Sequence, residues 1–244
     1  MHAQLLSATA QLSILLGNMC ADDQADAFAQ QYHRTAAHLA AAANDQATYS
    51  IALRVMATHA GNRGHHGPAL LLARQAAGTA QRHAPDVSQA FVQAQLAIAE
   101  AQADNQNAAL SALRAAEVLY AQADQTPGPF TSYPAAGLYY QRARALAVLG
   151  DNDGVISALS ASLRARGAGP RRNRALTHAR LAEALHRQGF REAAQHHWRS
   201  FLYDYAVLRS AAATQRLTVM RQLLHPYRTH APVARLLAQA AHLS

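Results

Sequence analysis

The chain has 244 residues, half of them hydrophobic but only 6% aromatic, and its formal net charge of +8 is carried by 22 arginines with no lysine. Alanine supplies roughly a quarter of the residues, which favours close-packed helices and excludes a sandwich or barrel built on β-branched and aromatic side chains. The single Cys20 excludes an intramolecular disulfide, and no apolar run reaches membrane-spanning length.

In chain order, Met1–Cys20 is mildly apolar, lacks a basic leading segment and is interrupted by Gln, Ser and Thr. It reads as a first amphipathic helix rather than a signal peptide, which implies a soluble cytoplasmic protein. Helices are expected over about Gln4–Ala21 and Gln24–Ala43, then over about Gln46–Ala60. The glycine-rich turn Gly61–Gly67 precedes a helix beginning at Pro68, a residue suited to a first helical position, and ending near Arg82. After the break at His83–Asp86 comes another pair, with a turn at Asp104-Asn105 and a second helix running to about Ala123. The proline-dense stretch Thr126–Phe130 cannot be helical. A fourth pair turns at Gly150–Asp153. The segment Arg164–Arg174 breaks at Gly167 and Gly169. The clearest pair is Arg174–Ser200, in which Gly189 ends the first helix, because glycine takes the left-handed turn at little steric cost. Beyond Tyr203 the pattern lapses: Tyr205–His225 is expected as one helix stopped by Pro226, and Pro232–Leu243 as a short last one.

Five small residues in the first helix of each pair, Gly17, Ala57, Ala97, Ala143 and Ala182, stand about 40, 40, 46 and 39 residues apart. They are followed about twelve positions later by Ala29, Ala69, Ala109, Val155 and Ala194, and then by Ala36, Ala76, Ala116, Ser162 and Phe201. The Leu-Ala, Gly, Ala spacing of Arg174–Ser200 resembles a tetratricopeptide (TPR) hairpin. The fold class is therefore all-α: one TPR-like solenoid domain over residues 1–244, with about five helical hairpins to residue 202 and capping helices over 203–244.

Three stretches, Leu15–Ala40, Gly64–Ala76 and Arg174–Trp198, together with the closing Thr218–Ala240, also resemble the TPR-like C-terminal region of actinomycete helix-turn-helix regulators of the XRE type. Those regulators carry a DNA-binding domain ahead of this region. Here the first TPR-like helix begins almost at Met1, so direct DNA binding is not expected. The resemblance implies recognition of an anionic small molecule or short peptide, or docking of a partner protein, in a regulatory role.

A TPR solenoid lines its concave groove mainly with the first helix of each hairpin, and the resemblance places candidate groove residues accordingly. These are Gln11, Asn18 and Asp22; Arg54, Thr58 and Asn62; Gln102, with Gln93 and Glu100; Tyr140 and Arg144; and Glu183, His186 and Arg187. Arg54, Arg144 and Arg187 on inner helices could clamp a carboxylate or phosphate through paired N–H bonds. Tyr140 could stack on or hydrogen-bond a ligand. Asn18 and Asn62 could bind a peptide backbone, since an amide both donates and accepts. Glu183 and His186, three residues apart, share a helix face, so an alternative is a biosynthetic enzyme using that pair for acid–base chemistry.

The 14 histidines show no H-E-x-x-H spacing, and a metal needs more ligands than can be assigned. No phosphate-binding G-x-x-x-x-G-K-S/T and no G-x-S-x-G elbow occurs. No cofactor is expected. Exposed apolar positions on the terminal helices could pair two copies of the chain.

Overall fold

A computed structural model describes residues 1–123, 133–166 and 170–243. The expected breaks at Thr126–Phe130 and at Gly167 and Gly169 lie outside the described residues. Among the described residues the chain is all helix, with no strand. Its packing divides it into two compact units, Met1–Pro134 and Ala135–Ser244.

The first unit holds three antiparallel hairpins: α1 (His2–Asp22) with α2 (Asp26–Ala42), α3 (Gln46–Asn62) with α4 (His66–His83), and α5 (Asp86–Gln102) with α6 (Gln106–Gln122). Each hairpin closes in the same way. Gln24, Gly64 and Asp104 adopt left-handed φ values of 60°, 81° and 60°. The next residue then donates its backbone N–H five residues back, from Ala25 to Cys20, His65 to Ala60 and Asn105 to Glu100, at 2.8–2.9 Å. This is a Schellman closure, which satisfies carbonyls that a helix end leaves open. Gln24 is therefore a turn residue and not the first residue of the second helix, as its sequence suggests, and α2 starts at Asp26. Between hairpins, the Asp45 carboxylate accepts from the Thr48 N–H at 2.9 Å and caps α3.

The second unit repeats the device. Its hairpins are α7 (Ala135–Leu149) with α8 (Asn152–Arg166) and α9 (Arg171–Arg187) with α10 (Arg191–Tyr205). They turn at Gly150 and Gly189, with φ values of 79° and 83°. The five left-handed residues each lie seven positions beyond the five small residues picked out in the sequence. Those residues are all buried, as are Ala36, Ala76, Ala116, Ser162 and Phe201 in the second helices. Where alanine gives way to Ser162, its hydroxyl donates to the Ala136 carbonyl at 2.7 Å and ties α8 to α7.

The C-terminal helix expected over Tyr205–His225 is instead split. α10 runs on to Tyr205, and α11 (Ala211–Leu224) starts only after Ser210, whose hydroxyl accepts from the Ala213 N–H. A 3-10 turn, His225–Tyr227, contains Pro226 and leads to α12 (Ala231–Ala241). Leu217, Met220, Leu224, Val233 and Leu236 from these closing helices bury Trp198, Phe201 and Leu202 of α10. They thus cover the apolar face of the last hairpin, as capping helices must.

Gly17 faces the His33 side chain across the first hairpin. A Cβ built there would lie 2.3 Å from Cδ2 of His33, whose ring is only 2% exposed. Gly17→Ala is expected to cost about 1–3 kcal/mol, as overpacking of a tight core does. Urea denaturation measures it, and a midpoint equal to the parent's would show that the His33 ring moves aside freely.

Candidate binding site

In the second unit α7 and α9 present a polar recess. Tyr140 and Arg144 are one turn apart on α7; Arg180, Glu183 and Arg187 follow at helical spacing on α9. Arg144, Arg180, Glu183 and Arg187 ring the recess over a floor of Ala143, Ala147, Val155 and Leu159. Its open volume is about 30 Å³, room for about two waters or the tip of a carboxylate, and too little for a whole drug-sized ligand.

Three arginines and one carboxylate line the recess. Both Glu183 carboxylate oxygens accept from Arg216 Nη1 of α11 at 3.1 Å, with the Arg216 and Glu183 side chains both largely buried. Arg180 Nε donates to the Tyr140 hydroxyl at 2.8 Å. Tyr140, ahead of Glu183, holds the Arg180 guanidinium above its ordinary pKa. Arg144 donates to Gln141 Oε1 at 3.3 Å. Arg144, Arg180 and Arg187 thus share a recess with Glu183, whose carboxylate is held by Arg216.

His186 stands elsewhere. It meets Tyr227 edge to face, with ring centroids 5.6 Å apart, and lines a separate recess of about 320 Å³ with Arg191, Glu192, Tyr227 and His230. Burial, then the Arg191 charge, lowers its pKa. Glu183 and His186 share a helix but not a cavity. Arg216 on α11 claims Glu183, while His186 at the last turn of α9 reaches the 3-10 turn.

The remaining predicted site residues lie in the first unit. Arg54 is buried, its guanidinium carbon 3.5 Å from the Phe91 ring centroid. That stacking, a cation–π contact, gives it a packing role. The Thr58 hydroxyl lies 2.9 Å from Gln95 Oε1 and 3.0 Å from the Arg54 carbonyl. Gln102 turns its Oε1 toward Gly61, where a Cβ would stand 2.7 Å away. Asn18 and Asn62 are exposed near the ends of α1 and α3. Glu100 is consumed structurally. It accepts from Arg74 at 2.8 and 3.0 Å and from the Asn105 amide at 2.8 Å. Burial works to raise its pKa, and the bonds from Arg74 and Asn105 outweigh that and lower it. Of the fourteen candidate groove residues expected from the sequence, then, Arg144, Glu183 and Arg187 line one recess and Tyr140 touches it through Arg180.

Several polar features escaped the sequence. Arg180 and Arg216 carry no signal beyond their position relative to Glu183. His178 and His197, nineteen residues apart, bring their Nδ1 atoms to 3.0 Å, beside the buried Asp204 that accepts paired bonds from Arg174. In the first unit, His33, His59, Asp26, Arg34 and Arg63 line a recess of about 450 Å³. No group of three or more metal-ligating side chains is assembled among the described residues, and no helix there is long and apolar enough to cross a membrane.

The chain matches no family model and no curated protein. It is similar in structure to nearly identical TPR-like repeats from a Podosopora anserina protein described as a kinesin light chain, with a TM-score of 0.56 and 18% identity over 78% of this chain and 92% of that one. A substituted form of the same repeats aligns with a TM-score of 0.56 and 17% identity over the same shares. The similarity establishes the fold, a TPR-like array of helical hairpins.

Two histidines make stability acid-sensitive. Burial, then the charges of His59 and Arg54, lowers the His33 pKa to about 4; burial, then His178 and His196, lowers that of His197 to about 4. Each is proton-free in the folded state where the unfolded chain already binds a proton. Their contribution is therefore complete above about pH 6.5 and is lost as the pH falls from there toward about 4. The melting temperature should fall across that window and fall less in His33→Leu. An equal fall in the variant would exclude His33 as a titrating group.

Proposed function

We propose that this protein is a TPR-like interaction module that receives an acidic segment of a partner polypeptide at the Arg144–Arg180–Arg187 recess. The observation that carries the reading is a recess of about 30 Å³ lined by three arginines and a single carboxylate that Arg216 already engages. A carboxylate side chain or chain terminus fits that space with the rest of its chain lying outside. A free anionic metabolite would leave most of its surface in solvent. Arginine suits the task, because its planar fork meets a carboxylate through two parallel bonds.

The fold favours the same reading. Stacked helical hairpins build extended surfaces suited to peptide chains. A regulatory role rests on the resemblance to the C-terminal region of XRE-type regulators. The acid–base alternative has no support from the geometry, because both Glu183 oxygens accept from Arg216 and His186 faces another recess.

Fluorescence anisotropy with a labelled octa-glutamate peptide tests the proposal. Replacing Arg144, Arg180 and Arg187 together by Ala should weaken binding by roughly 10- to 100-fold, since each hydrogen bond to a charged group is worth about 1.5–3 kcal/mol and exposure reduces the share contributed by a solvated pair. Replacing the exposed Arg114 by Ala should leave binding unchanged. Equal weakening by Arg114→Ala would reduce the effect to net charge, and unchanged binding in the triple variant would remove the recess as the site.

A further inference from the structure

Helix α1 is apolar on two opposite faces. Ala10, Ser13, Ile14 and Gly17 are buried against the rest of the first unit. Turned away from them, Leu5, Leu12, Leu15, Leu16 and Met19 are 65, 60, 46, 44 and 64% exposed. An apolar helix face is one that packs against something, and only one of these two is packed inside the unit. The outer residues are also ordered. Leu5, Ala8, Leu12, Leu15 and Met19 alternate steps of three and four, the seam of a coiled coil sustained over two heptads. Gln4, Gln11 and Asn18 flank it with neutral amides. No charged residue falls between His2 and Asp22, so nothing on the helix repels an identical seam.

We propose that this face is the interface of a homodimer in which α1 packs antiparallel against α1 of a second copy. The seam is self-complementary in that direction. Setting Leu5 opposite Leu15 of the other copy brings Ala8 opposite its Leu12, so that the large side chain meets the small one. The antiparallel sense opposes the two helix dipoles. It also places the end bearing His2 near the end of the other helix that bears Asp22 and Asp23. A two-fold axis makes every such contact twice, as an isologous interface requires. The exposed seam offers on the order of 500 Å² per copy, so pairing removes at most about 1,000 Å² from water, the lower bound for a specific interface. A seam of that size implies a dimer that forms and dissociates over an accessible concentration range.

The interface uses none of the arginines of the proposed recess, so the two readings stand or fall separately. Sedimentation velocity on the full chain, from about 1 to 200 μM, should show the mass rising from 26.2 kDa toward twice that value. Leu12→Glu/Leu15→Glu puts two charges at the centre of each seam, at positions open to solvent in one copy. It should remain monomeric throughout while keeping the parent's helical circular dichroism and octa-glutamate binding. In a Cys20→Ser background, Ala8→Cys/Leu12→Cys should cross-link on mild oxidation, whereas neither single cysteine should. A parent chain that stays monomeric at the highest concentration, or a doubly charged variant that still dimerises, overturns the interface. Cross-linking by the single variants overturns the antiparallel sense.

Discussion

The structure depends on one repeated constraint. A chain leaving an α-helix must reverse within about three residues while satisfying carbonyls that the helix no longer serves. Here a left-handed residue does this in every described hairpin, seven positions after a small residue that lets the two helices touch. The turn sets where the second helix starts, and the small residue sets how near it lies. Glycine meets the left-handed requirement without strain in three turns. Gln24 and Asp104 meet it at a cost of about 1 kcal/mol each, offset by the bonds that the turn completes. Because the distance between contact and turn never varies, the differing spacing of the hairpins arises elsewhere in each repeat.

This explains what was legible from the amino acids. Small residues at helix contacts are read directly, because any larger side chain collides there, as the fit of Gly17 against His33 shows. The spacing of hairpins followed from them. The start of α2 did not, because Gln24 resembles a helix former and its left-handed backbone leaves no compositional mark. Nor did the break before α11. Ser210 is an ordinary cap signal, but the leucines around it continued a helical stripe that outweighed it. Among polar residues, sequence located those on the inner helices but not their partners. Arg216 lies 33 residues from the carboxylate it neutralises, a relation that only the packing of α11 on α9 creates.

A chain with 22 arginines must place many of them, and the structure puts them to different uses. Arg74 and Arg174 satisfy buried carboxylates. Removing either arginine would leave a buried carboxylate without its main partner. Arg54 and Arg191 lie over aromatic rings, using the flat guanidinium as a packing surface. Arg144, Arg180 and Arg187 differ in lining one recess with a single carboxylate, Glu183, that Arg216 already engages. That concentration of arginines is what the proposed binding of an acidic segment rests on.

The lone tryptophan has a consequence for how the molecule can be watched. Trp198 is fully buried, packs edge to face on Phe201, and sits in the second unit. Its emission therefore reports the opening of that unit, while far-ultraviolet dichroism sums helices from both. Coincident curves would mean that the two units lose structure as one cooperative body. Separated curves would give each unit its own free energy from a single titration of the unmodified chain.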